Sequence, residues 1–185
     1  MIKQIKLEQV EKYIQRKLKR NHTSLGFDVS LHSTGIVMLK TTNTNLIIDH
    51  TQLLITPKDV AEEKGLDIFT SQLDEYKNKI VQKYSIDSVI IENCFFGMSV
   101  TVLKTLARCS GLARDRFKNI SKECYFKYPK EIRAIVGFYG GKVKGSQLKN
   151  LIVDFVNKAL KLELKYKEHD LADAYMCSLM GLIEK

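Results

Sequence analysis

The run Ser88–Asn93, SVIIEN, limits the fold more than any other stretch. It is apolar and rich in β-branched residues, it is bounded by Asp87 and Asn93, and it is too short to be a helix. Such a run is the signature of a parallel strand buried on both faces, which requires helices above and below the sheet. Suitable helices flank it. Val60, Leu66, Phe69, Leu73, Tyr76, Ile80 and Val81 fall at helical spacing over 59–84, and a second helical pattern covers 99–117. Upstream, LGFDVS, TGIVMLK and NLIIDHTQLLI read as three consecutive strands joined by tight turns. Downstream, KECYFKY reads as a short strand stopped by Pro129. Helical patterns follow over 130–138, 147–160 and 171–183, the first two separated by the loop GGKVKGS. This order predicts an α/β protein with a mixed five-stranded sheet flanked by helices.

Residues 2–20 place Ile2, Ile5, Val10, Ile14 and Leu18 near helical spacing with bases between them. They predict an extra basic amphipathic N-terminal helix, docked on the core and ending near Asn21. The expected division is therefore 1–23 for this helix and 24–185 for the main domain. No apolar run has the roughly 18 residues a membrane span needs, and the charged N-terminus does not resemble a secretory signal. Cys94, Cys109, Cys124 and Cys177 are scattered with no C-x-x-C pair, which argues against a disulfide framework or a cysteine zinc site. A cytoplasmic protein is expected, with no membrane partner.

The net charge is +9 and it is unevenly spread. Residues 46–92 sum to −4, whereas residues 93–149 sum to +9. A single surface lysine usually serves solubility, but a basic third of the chain suits a polyanion, and a phosphate-binding face is expected there.

Acids occupy positions where a core disfavours them. Asp28 lies between Phe27 and Val29, and Glu92 ends the Val89-Ile90-Ile91 run. A carboxylate in either place costs several kcal/mol unless it is paired or metal-bound. Sites in open α/β sheets gather at the carboxyl ends of strands, so Asp28 and Glu92 can face each other if their strands are neighbours. In HDLADA, Asp170 and Asp173 are three apart and share one helical face. Four carboxylates meeting there would suit two Mg²⁺ ions, which favour hard oxygen ligands, and in-line attack on a phosphodiester. Each acid also has a plainer use: Asp170 as a helix N-cap, Glu92 as a strand end, Asp28 turned to solvent. His169 could be a ligand, a proton carrier or a surface residue.

LGFDVSLHSTGIVML, IIENCFF and DLADAYMCSLM, in that order, resemble the acidic motifs of RuvC-type Holliday junction resolvases of the RNase H-like superfamily. ARCSGLA and P-x-x-I-R followed by a Gly/Lys loop agree in position, so the resemblance covers about Ser24 to Glu184. The N-terminal helix has no counterpart in the usual bacterial pattern, as in a phage or otherwise divergent member acting in a bacterial or phage-infected cell. The resemblance implies an RNase H-like fold, a homodimer, two Mg²⁺ per site (or Mn²⁺ in their place), and paired symmetrical nicks across four-way DNA. The matching catalytic and metal-binding positions are Asp28, Glu92, Asp170 and Asp173. Phe95 matches an aromatic that enters the junction, with Phe96 beside it, and Arg133 and Lys144, or Lys142 in its place, match DNA-binding bases. Three other readings stay open. They are an RNase H-fold nuclease for other branched DNA or RNA, a non-catalytic nucleic-acid-binding protein, and a sugar-kinase or actin-like ATPase, for which the chain is too short.

Overall fold

A computed structural model describes residues 3–94 and 99–184. Six strands form one sheet: β1 (Lys3–Lys6), β2 (Thr23–Asp28), β3 (Ser33–Thr41), β4 (Asn45–Ile55), β5 (Ile86–Glu92) and β6 (Ser121–Lys127). Their order across the sheet is β1-β4-β3-β2-β5-β6. β2, β3 and β4 form an antiparallel meander, while β5 and β6 run parallel to β2. The helices are α1 (Leu7–Ile14), α2 (Glu62–Val81), α3 (Val100–Phe117), α4 (Pro129–Val136), α5 (Gly145–Leu160) and α6 (His169–Leu182).

The expected β2-to-β6 strands and the α2-to-α6 helices all form, but the sheet has six strands rather than five. The extra strand corrects the reading of residues 2–20 as one helix. Ile5 is buried between exposed Gln4 and Lys6, the alternation of a strand, and Lys3–Lys6 pairs antiparallel with β4. The helix that follows stops at Ile14, where Gln15 takes a left-handed φ of 54°. Beyond it Leu18 bridges Ile183, so the N-terminal segment joins the residues after α6 as well as the edge of the sheet.

Alternation along the central strands sorts the two faces. Leu25, Phe27, Val89 and Ile91 pack against α2 and α3. The other face carries Ile90 and Val37 into a second core with α1, α4, α5 and α6. With period two, Ser24, Gly26 and Asp28 share that second face, as do Ser88, Ile90 and Glu92. α6 lies directly upon it. A Cβ on Gly26 would collide with backbone atoms of Ala174 and Ser178, and one on Gly35 with the carbonyl of Asp170. Glycine at both points lets helix backbone touch sheet backbone. Among the described residues, no helix is long and apolar enough to cross a membrane.

Candidate active site

β2 and β5 pair with Phe27 opposite Ile91, so Asp28 and Glu92 are the next residues of adjacent parallel strands, at their carboxyl ends and on the face that α6 covers. The first turns of α6 bring Asp170 and Asp173 over the same spot, at a height fixed by the close approach at Gly26 and Gly35. All four predicted acids are half-buried and gathered on one side of the sheet.

Their mutual field is strong. Burial, then the charges of Glu92, Asp173 and Asp170, hold the Asp28 carboxyl well above its usual range. Burial and Asp173 push Glu92 up to about 8 against the opposing pull of Arg133 and Lys149. Asp173 rises to about 6, chiefly through burial, with Lys149, Arg133 and His169 opposing. Among the described residues, Asp28, Glu92 and Asp173 accept no hydrogen bond and form no ion pair, which leaves their oxygens open to a ligand. Asp170 differs: the Ser33 hydroxyl donates to its Oδ2, and His169 Nδ1 lies 2.7 Å from its Oδ1. No three described His, Cys, Asp or Glu side chains stand close enough to hold an ion as they are. The acids therefore share a field, and side-chain rotation would be needed to close a coordination sphere. Crowded carboxyl oxygens, unpaired within the protein and acceptor-only once ionised, are a donor set that fits a hard divalent cation.

Bases border the acids. An open cleft of about 580 Å³ is lined by Glu92 and Asp173 together with Arg133, Lys130 and Lys149. A second groove of about 560 Å³ shares Lys130 and Arg133 with it and continues past Lys142 and Lys144. The predicted Arg133, Lys142 and Lys144 thus line one continuous basic path that starts at the carboxylates. Phe95 and Phe96 lie outside the described residues.

The sequence reading did not single out Lys149, Ser33 or Lys130. Lys149 is exposed near the start of α5 and also reaches His169 Nδ1 at 3.2 Å. Its place in the helical pattern, one turn beyond the Gly/Lys loop, was the only signal of it. Ser33 was visible only as part of the turn that joins the first two strands of the meander.

The family model described as Crossover junction endodeoxyribonuclease RuvC matches residues 24–180. No curated protein matches the chain in sequence. Similar solved structures include Thermus thermophilus RuvC in complex with a Holliday junction substrate, at 13% identity and a TM-score of 0.66, covering 85% of this chain and 91% of that one. A second Thermus thermophilus RuvC structure matches at 15% identity and a TM-score of 0.63, covering 85% and 92%. The yeast mitochondrial Holliday junction resolvase Ydc2 matches at 9% identity and a TM-score of 0.54, covering 92% and 82%. At these identities the structural likeness is one of fold.

Proposed function

The chain belongs to the family of the crossover junction endodeoxyribonuclease RuvC, and from this we propose that it resolves four-way (Holliday) DNA junctions by paired symmetrical nicks. It would do so as a homodimer, one cut per protomer, in the cytoplasm of a bacterium or a phage-infected cell. The observation that carries this reading is the meeting of Asp28, Glu92, Asp170 and Asp173, from three elements distant in sequence, at the head of a basic groove. We take residues 24–185 as the nuclease unit and 1–23 as an addition to it.

Nucleases of this family depend on divalent metal. Here Asp28, Glu92, Asp170 and Asp173 would hold two Mg²⁺, or Mn²⁺ in their place. Ions bound there supply the charge that makes water nucleophilic and stabilises the leaving oxygen of an in-line displacement. Ser33 keeps one oxygen of Asp170 oriented. Lys149 and Arg133 set positive charge beside the acids, where a phosphate would otherwise be repelled. Water adds to phosphorus, the bond to the 3′ oxygen breaks, and the products carry a 5′-phosphate and a 3′-hydroxyl. Lys130, Lys142 and Lys144 hold backbone phosphates without reading sequence. Two-fold symmetry suits a substrate with two equivalent strands to cut. Ser99–Phe117 is the proposed dimer contact, with Val100 and Val102 exposed at its start. Phe95 is proposed to keep the crossover open.

The purified protein should be incubated with an immobile four-way junction, a flap and linear duplex, with Mg²⁺ or with chelator. Symmetrical nicking of the junction that chelator abolishes is expected. Equal cutting of all three substrates, or cutting in chelator, would contradict the proposal.

A further inference from the structure

Tyr139 is 79% exposed, more than any other large hydrophobic side chain described. A lone exposed aromatic needs no explanation, but this one has a particular setting. It lines the groove that contains Lys130, Arg133, Lys142 and Lys144. The residues on either side fix where the ring is offered. Before it, Gly137 ends α4 with a left-handed φ of 85°, and Phe138 is buried edge-on against Phe155 at 5.3 Å between ring centroids. After it, Gly140 is packed under Leu148 and the Phe138 ring. The loop therefore turns a tyrosine outward from an anchored base.

The N-terminal segment holds the same loop. Arg16 Nε donates to the carbonyl of Ile135 at 3.0 Å, its Nη2 to that of Ala134 at 3.4 Å, and Nη2 also reaches Tyr139 Oη at 3.5 Å. A Cβ on Gly137 would strike the carbonyl of Ile14, so the α1 end and the α4 end are in direct backbone contact. Arg16 thus satisfies carbonyls at the C-terminus of α4 and tethers the tyrosine. Residue 16 lies before the stretch that the family model matches.

We propose that Tyr139 is a stacking platform for an unpaired or end-exposed DNA base beside the basic groove, and that Arg16 is its positioning residue. This rests on the junction-cleaving reading above. An aromatic face flanked by bases is what single-stranded nucleic acid requires, because every base presents a π-face while the cations hold its phosphates. An exposed ring on a rigid turn also loses little freedom on binding.

Affinity for an immobile four-way junction with unpaired bases at its centre, measured by anisotropy in chelator across a salt series, tests this. Tyr139→Ala should weaken binding about tenfold with the salt slope unchanged, because no charge is removed. Tyr139→Phe, which keeps the ring and loses only the Arg16 tether, should lose no more affinity than Arg16→Ala, and Lys142→Ala should lower the slope. Arg16→Ala should give a partial loss at fixed salt, which Arg16→Lys does not fully restore, since one ammonium cannot span the same acceptors. Tyr139 is solvent-exposed, so unchanged thermal stability in Tyr139→Ala is expected and separates stacking from folding. Unchanged affinity in Tyr139→Ala, or a Tyr139→Phe as weak as Tyr139→Ala, overturns the inference and leaves the junction reading standing. A wild type that binds no branched DNA overturns both.

Discussion

Glu92 carries the most consequence for a single side chain. Its carboxyl is pushed from an ordinary 4.5 to about 8, so folding takes up a proton there. The stability this contributes is complete below about pH 4.5 and is lost as the pH rises toward 8. Metal-free protein should therefore lose thermal stability across that window, Glu92→Gln should flatten the loss, and divalent metal should reverse it. Scanning calorimetry with chelator and then with Mg²⁺ reads all three. Protons also compete with metal, so cleavage at subsaturating Mg²⁺ should rise between about pH 6 and pH 8, the region where Asp173 and Glu92 titrate. Glu11 shows the opposite case. Its carboxylate is 8% exposed, accepts from Arg20 at 2.8 Å and from the Leu18 amide at 2.9 Å, and Arg20 above all holds its pKa down. Stability from Glu11 is present at neutral pH and fades as the pH falls through the lowered value. Glu11→Gln should cost on the order of 1–3 kcal/mol in denaturant unfolding at pH 7, and an unchanged unfolding free energy would show the knot to be idle. In the sequence, Glu11 is one acid among the bases of an amphipathic stretch, and nothing local marks it as buried.

At the scale of elements, the seating of α6 on the sheet decides whether the acids meet. Gly26→Ala would force a methyl into the backbone of α6, and neither partner is a flexible side-chain end. It should lower stability by at least about 2 kcal/mol and blunt cleavage further by lifting Asp170 and Asp173 away from Asp28. Gly65→Ala is the matched control: its Cβ would meet Leu31 and Thr56 at 3.5 to 3.6 Å, an ordinary approach, within helix α2. It should be neutral or stabilising by up to about 1 kcal/mol. Circular dichroism melts of the two variants make the comparison. Much of this level was legible in the sequence. SVIIEN identified β5 because a strand buried on both faces leaves a continuous apolar run, and D-L-A-D put two acids on one helical face because helical spacing is regular. The N-terminus misled because Ile2, Ile5 and Val10 fit a helical period, while the pairing of Lys3–Lys6 with β4 is a long-range interaction with no local signal. The small residues Ser24, Gly26 and Gly35 record the close approach of α6, but as isolated letters they do not say which element approaches.

For the whole molecule, the uneven charge along the chain becomes a path in space. The bases of α4, the Gly/Lys loop and α5 line two adjoining grooves that begin at the acids. Replacing Lys142 and Lys144 together by Ala should weaken junction binding at every sequence and lower the magnitude of the salt slope by roughly 0.9 for each phosphate that is no longer neutralised. The same double variant should leave the acid cluster intact, so cleavage at saturating protein should survive. The N-terminal segment reaches the rim of this path through Arg16, which holds the end of α4 and the Tyr139 hydroxyl and which sequence alone presents as one more solvated base. The central claim is that four distant carboxylates act together on one DNA linkage. It is tested most directly by measuring single-turnover junction cleavage and junction affinity side by side in Asp28→Asn and Glu92→Gln. Cleavage should fall by at least about 100-fold while affinity holds or tightens, because a repelling charge has been removed without disturbing the groove. Wild-type cleavage in either variant, or an equal loss of binding and cleavage in a folded one, would contradict the account.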